Sequence, residues 1–267
     1  MLNSLNKIIE TGISEKLKIF DNKFLKAHTC DVEDKLNEVS RLNKEKKKND
    51  KIIDKLINEI VYDKKLSSLG SDEYFEDVYK PIFMKVLGTN KIEKYNNVPF
   101  AIRINIPNYK YFHLHWHQDS GTFIYNKKND IFDYKSFALW TSITETNNEN
   151  GIDLIPRNQH QEKIYNACHK ISASRRPPFN YRVIFGKSSL PRFNKLITTN
   201  NFKSGEGILF DSLVFHRSCL NKTDNIRLSF DVRFYCPEER FKIKKFGTRN
   251  SIKRFFYKNL DVKIPYL

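Results

Sequence analysis

Through the first ninety residues, apolar side chains recur every three to four positions. Ile52, Ile53, Leu56, Ile57 and Ile60 fall on one helical face, with Asp50 placed to cap its start. A second stripe, running from Phe75 through Val78, Tyr79, Ile82 and Phe83 to Val86 and Leu87, predicts another helix. Ser71 or Asp72 can cap its start, Gly88 can close its end, and Pro81 predicts a kink. At Asn97 the period falls to two. Phe100, Ile102, Ile104 and Ile106 alternate with Ala101, Arg103 and Asn105 until Pro107 stops the strand. Phe112 to His117, Ser136 to Thr144, Ile152 to Ile155, Tyr181 to Phe185, Gly207 to Phe215 and Ile226 to Tyr235 also read as extended runs. Turn signals such as Asn148-Glu149-Asn150-Gly151 separate them. So many short strands in succession predict a double-sheet jelly roll or barrel. The expected organisation is a helical region over 1–96 packed on a β core over 97–236, with an insertion at about 167–204 and a basic extension over 237–267.

Composition supports a folded chain. Of 267 residues 39% are hydrophobic and 36 are aromatic, which is ample for a core and argues against wholesale disorder. No stretch approaches the ~18 consecutive apolar residues of a membrane span, and Met1 to Gly12 lacks the apolar stretch of a secretory signal, so a soluble, cytoplasmic protein is expected. Cys30, Cys168, Cys219 and Cys236 stand far apart with no C-x-x-C pair, which writes neither a zinc clip nor a disulfide framework. The formal charge, 47 − 31 = +16, suits an anionic partner. Yet 34 of the 47 cations are Lys, in a chain crowded with Asn, Ile, Phe and Tyr, and AT-rich codon usage alone produces that mixture. The Lys44 to Lys51 run reads most simply as the solvated start of a helix.

The chemistry concentrates in two segments. In Phe112-His113-Leu114-His115-Trp116-His117-Gln118-Asp119, strand alternation sends the three histidines and Asp119 to one face. In the second, an apolar run from Gly207 ends at His216, turns through polar residues, and returns as a strand beginning at Arg227. His117, Asp119 and His216 together offer two imidazoles and one carboxylate, a set that suits Fe(II) and leaves three coordination positions open. Arg227 has the planar fork and permanent charge to grip a carboxylate of a cosubstrate bound at that metal. It shares one face of its strand with Ser229, while Ile226, Leu228, Phe230 and Val232 share the other.

With these segments the chain resembles the phytanoyl-CoA dioxygenase-like branch of the Fe(II)/2-oxoglutarate-dependent oxygenases. The likeness rests on His117-Gln118-Asp119, on Leu139-Trp140-Thr141-Ser142-Ile143, and on Asn150-Gly151 followed by Leu154-Ile155-Pro156. It is completed by His216-x-Ser218-x-x-Asn221, with Arg227 eleven residues after the histidine. The resemblance covers about residues 98 to 236. It implies a double-stranded β-helix with iron held by His117, Asp119 and His216, and 2-oxoglutarate gripped at its far carboxylate by Arg227 and Ser218. By the same resemblance Gln118 and Trp140 line the cosubstrate pocket, although Trp140 reads equally well as plain barrel core. The implied reaction consumes O2 and 2-oxoglutarate, yields succinate and CO2, and hydroxylates an unactivated C–H bond.

Two departures stand out. Where the family usually continues from the proline into Gly-Ser-His, this chain has Pro156-Arg157-Asn158-Gln159-His160, which makes the expected lip of the site bulkier and more basic. His113 and His115 lack an acid two residues on and are expected to be cleft or hydrogen-bonded residues rather than ligands. Between the two halves of the iron motif, Ala167 to Ser204 has the length of a substrate lid and carries Arg175, Arg176, Arg182, Lys187 and Arg192. With Arg157, its arginines Arg175, Arg176 and Arg192 point to a small anionic substrate, phosphorylated or nucleotide-linked, including a sugar. Two rival readings are a nucleic-acid demethylase, suggested by the charge, and a jelly-roll binding protein with a vestigial metal site.

Overall fold

The computed structural model describes residues 2–45, 50–95, 100–108, 116–119, 134–159, 168–171, 181–184, 197–199 and 201–240. The chain opens with helix α1 (Leu2–Thr11) and then a strand, β1 (Ile13–Lys18), which the helical reading of the first ninety residues passed over. Five helices follow: α2 (Asn22–Thr29), α3 (Glu33–Lys44), α4 (Asp50–Val61), α5 (Lys64–Ser68) and α6 (Asp72–Tyr74). Their starts are written locally, since Asp21 accepts from the Phe24 amide, Asp63 from Lys65 and Leu66, and Ser71, rather than Asp72, from Tyr74. The expected second helix passes through a π turn over Phe75–Tyr79 before α7 (Lys80–Leu87). There the Lys80 amide reaches back to the Phe75 carbonyl. Pro81 therefore sits in the first turn of α7 instead of kinking an α-helix interior, and Gly88, at φ 66°, closes it in the left-handed conformation.

The remaining strands are β2 (Glu93–Lys94), β3 (Phe100–Asn105), β4 (Tyr134–Ser142), β5 (Ile152–Ile155), β6 (Cys168–Ile171), β7 (Tyr181–Ile184), β8 (Ile197–Thr198), β9 (Glu206–Asp211), β10 (Phe215–Ser218) and β11 (Arg227–Arg240). The predicted run Gly207 to Phe215 is in fact two strands. Asp211 ends β9, and its carboxylate accepts the Leu213 amide as the chain turns into β10, which belongs to another sheet. The main sheet is antiparallel and runs β1-β9-β4-β11, with β3 and β2 end to end along the far edge of β11. A second sheet has the order β10-β5-β8, and β6 and β7 pair with each other. Of the predicted strand Phe112 to His117, only Trp116 and His117 lie within the described residues, and His117 forms an isolated bridge with His216.

The two faces of the main sheet do different work. Phe137, Leu139, Leu209, Leu228, Phe230 and Phe234 point to the helical side and join one core with Phe20, Leu25, Ile57, Tyr79 and Phe83. Ala138, Trp140, Ile208 and Phe210 point the opposite way and pack with Ile152 and Leu154 of the second sheet. Period-two alternation thus gives the inner strands β4 and β9 two buried faces. Among the described residues no helix is long and apolar enough to cross a membrane.

Candidate metal centre

His216 and His117 are brought together by backbone pairing. The His117 amide donates to the His216 carbonyl at 3.0 Å, and the His216 amide donates back to His117 at 2.9 Å. This reciprocal pair attaches the His117 segment to β10, whose own partner is β5, and sets the two imidazoles 4.1 Å apart between ring centroids. Asp119 lies two residues on, and its Oδ1 is 3.8 Å from His117 Nε2 and 3.7 Å from His216 Nε2. All three residues are buried, and their ligand atoms lie within 4.8 Å of one another. One ion about 2.1 Å from each donor can bridge such separations.

The protonation pattern fits a metal. His216 Nδ1 lies 3.1 Å from the Val214 carbonyl, which can only accept, so the proton is on Nδ1 and Nε2 presents its lone pair. Burial holds the His216 pKa below its ordinary value, against the pull of Asp119, and keeps the ring neutral. For Asp119 burial pushes the pKa upward, but Arg233, His216 and His117 outweigh it and hold the carboxyl far below the usual carboxylate range. Its Oδ2 accepts from Arg233 Nε at 3.0 Å, whereas the buried Oδ1 has no hydrogen-bond partner among the described residues. A buried anionic oxygen facing two imidazole nitrogens without a donor of its own is what a site built for a cation requires.

Arg227 supplies the second feature. It is only 2% exposed, its Nη1 makes one long contact of 3.5 Å with the Gly151 carbonyl, and its buried Nε has no partner. Among the described residues no carboxylate pairs with it, and burial draws its pKa down to about 10, though Asp231 and Cys219 push it back up. Ser218 is buried at the end of β10, one residue before Cys219, whose amide bonds the same Gly151 carbonyl. Trp140 takes the core position that was one of its two expected readings. It packs in the apolar cluster between the sheets, its Nε1 donates to Ser229 Oγ at 3.1 Å, and its ring lies 5.7 Å from the Arg227 guanidinium carbon.

Other expected residues stand elsewhere. Gln118 is fully buried with its amide donating to the Leu213 carbonyl at 2.7 Å, which ties the ligand segment to the turn before β10. Arg157, expected at the lip as a substrate contact, is buried. Its guanidinium is paired with Asp211 Oδ2 at 2.8 Å and also bonds the Ile9 carbonyl of α1, so it fastens the N-terminal helix to the β core. Arg175, Arg176, Arg192, Lys187, His113, His115 and His160 lie outside the described residues, and of Arg182 only the backbone, in β7, is described.

Sequence reasoning missed Asp231 and Arg233. Along β11 the residues Arg227, Ser229, Asp231 and Arg233 all occupy the face opposite Leu228, Phe230, Val232 and Phe234, and all four are buried. Asp231 Oδ2 accepts from Arg103 Nε at 2.7 Å and lies 3.3 Å from Arg233 Nη2. The signal was present, because the alternation that marked Arg227 and Ser229 continues unbroken through Arg233. Tyr95 was also missed; burial pushes its pKa up, and its phenol feels the charges of Asp119 and Arg233.

With the geometry in place, comparison with solved structures finds a similar fold in proteins described as non-haem enzymes. The chain aligns with the apo form of the non-heme monooxygenase ThoJ at a TM-score of 0.54 and 10% identity, covering 95% of this chain and 93% of that one. It aligns with the non-heme alpha-ketoglutarate-dependent carbocyclase SnoK from nogalamycin biosynthesis at 0.52 and 10%, over 95% and 90%. With EvdO2 from Micromonospora carbonacea var. aurantiaca the values are 0.52 and 16%, over 89% and 91%. EvdO2 is also known complexed with 2-oxoglutarate, and ThoJ with nickel. At such identities the likeness is one of fold. No known family's sequence profile matches the chain. No curated protein matches it by sequence.

Proposed function

We propose that this protein is a non-haem Fe(II)- and 2-oxoglutarate-dependent dioxygenase that hydroxylates a C–H bond of a small metabolite. Arg227 carries the reading: its buried guanidinium has no carboxylate partner among the described residues and stands on the β11 face from which Arg233 reaches Asp119, which suits an anionic ligand bound beside a metal. The two sheets then act as the walls of a double-stranded β-helix with the site between them.

In this reading His117 and His216 present Nε2, and Asp119 presents Oδ1. Arg227 and Ser218 hold the far carboxylate of 2-oxoglutarate, with Trp140 flanking the guanidinium. Bound there, iron and the keto acid supply O2 activation, coupling loss of CO2 from the cosubstrate to oxidation of the substrate. The apolar cluster of Trp140, Ile208, Phe210 and Leu154 keeps water from the metal face. A cytoplasmic location and a small anionic substrate complete the proposal. The anionic character rests on the cations of the 167–204 insertion, since Arg157 is already paired with Asp211.

The test is incubation with Fe(II), 2-oxoglutarate, O2 and a metabolite library, scoring succinate and any product one oxygen heavier. Succinate formation that disappears in His117→Ala and in Asp119→Ala supports the proposal. Absence of 2-oxoglutarate turnover under all substrates and without one, in iron-loaded protein, refutes it.

A further inference from the structure

Only one oxygen of the Asp119 carboxylate faces the histidines. Its other oxygen is held by Arg233 Nε at 3.0 Å. Arg233 projects from the middle of β11, a strand paired on one edge with β4, where Arg233 lies opposite Ala138, and fastened on the other by the Tyr95 amide, which donates to the Arg233 carbonyl. The guanidinium is steadied in turn by Asp231 Oδ2 at 3.3 Å, and Asp231 by Arg103 Nε of β3 at 2.7 Å. Arg103, Asp231, Arg233 and Asp119 thus form a chain of alternating charge that begins on one strand, crosses to a second and ends on the ligand carboxylate.

We infer that Arg233 is a positioning residue for the metal: by occupying Asp119 Oδ2 it confines the carboxylate to one-oxygen ligation through Oδ1 and keeps the remaining positions open for cosubstrate and O2. The inference rests on the metal reading of the His117–Asp119–His216 set. It follows from the donor geometry. A carboxylate with both oxygens unengaged can rotate to offer two ligand atoms to one cation, and a fixed charge-assisted bond to one oxygen removes that option. Only a forked side chain can bond Asp119 and Asp231 from separate nitrogens, as Nε and Nη2 do here. A lysine keeps the charge and loses the fork.

The experiment titrates Co(II) into purified full-length protein, reading dissociation constant and absorption spectrum, whose intensity falls as coordination number rises. Arg233→Gln is expected to weaken Co(II) binding by roughly 10- to 100-fold, the usual effect of losing a group that orients a ligand, and to shift the spectrum toward higher coordination. Arg233→Lys is expected to recover part of the affinity while keeping the altered spectrum. Because Arg233→Gln leaves Asp119 without its cation and Asp231 with Arg103 alone, the Arg233→Gln/Asp231→Asn double variant serves as a folded counterpart with a smaller charge imbalance and is expected to show the same spectral shift. A folded variant with wild-type affinity and spectrum overturns the inference while leaving the metal site standing. Wild-type protein that binds no Co(II) overturns both.

Discussion

A guanidinium buried as deeply as Arg227, with a single long bond to a carbonyl, penalises the unliganded fold by an amount on the order of several kcal/mol. That makes an unusual pair of expectations. Arg227→Met should leave the Tm of the ligand-free protein unchanged or raise it, while the stabilisation by 2-oxoglutarate falls to about 1 kcal/mol or less at the same ligand concentration. In the metal-loaded wild type that stabilisation should reach about 2.7 kcal/mol at a hundredfold excess over Kd. Loss of the charged fork should weaken 2-oxoglutarate binding by roughly 30- to 1000-fold, or about 2–4 kcal/mol, with metal affinity near normal. Thermal melts with and without cosubstrate check both, and equal ligand-induced shifts in the two proteins would remove the assignment. At this scale His117, Asp119, His216 and Arg227 were legible because their chemistry is uncommon in that spacing. Arg157 was misread for a physical reason: a cation near an expected lip looks the same in sequence whether it faces solvent or a buried acid, and its partner Asp211 is 54 residues away. Arg233 went unread because the alternation was followed for Arg227 and Ser229 but not four residues further.

The elements were legible where a period repeats and illegible where the fold overrides it. β3, β4, β5 and β11 follow their predicted runs closely because each alternates or is continuously apolar. β1 was hidden, since Ile13 to Lys18 is short and half-charged and becomes a strand only by pairing with β9. Its continuation, Ile19 and Phe20, is fixed by a close approach: both amides donate to the Gly205 carbonyl, at 2.8 and 3.1 Å. Gly205 adopts φ 81°, and a Cβ there would fall 2.0 Å from the Phe20 carbonyl oxygen. Left-handed backbone costs a non-glycine residue about 1–2 kcal/mol, and the overlap with main chain adds to it. Gly205→Ala should therefore lose at least about 2 kcal/mol, a fall in Tm of roughly 4–8 °C. A melt within one degree of wild type would mean that this junction yields more easily than its geometry indicates.

Across the whole molecule, the helical region and the main sheet share one core, with Phe83 of α7 stacked on Phe234 of β11 at 3.8 Å between ring centroids. Unfolding should then be a single event. Far-UV circular dichroism, dominated by the helices, and fluorescence of Trp116 and Trp140, both in the β part, should report one midpoint. Phe83→Ala, which empties a fully buried site, should destabilise the fold by about 3–5 kcal/mol and lower the midpoint equally for both probes. Separate midpoints would show two independently stable units. The core fixes one face of β11 and so turns the other, which carries Arg227 and Arg233, away from the helices, with Arg233 reaching Asp119. The most direct test of that arrangement is calorimetric titration of 2-oxoglutarate into protein with and without a divalent metal under anaerobic conditions. The account predicts one equivalent bound only when metal is present, with binding lost in His216→Ala and weakened in Arg227→Met. Equal binding with and without metal, or none at all in metal-loaded wild type, would contradict it.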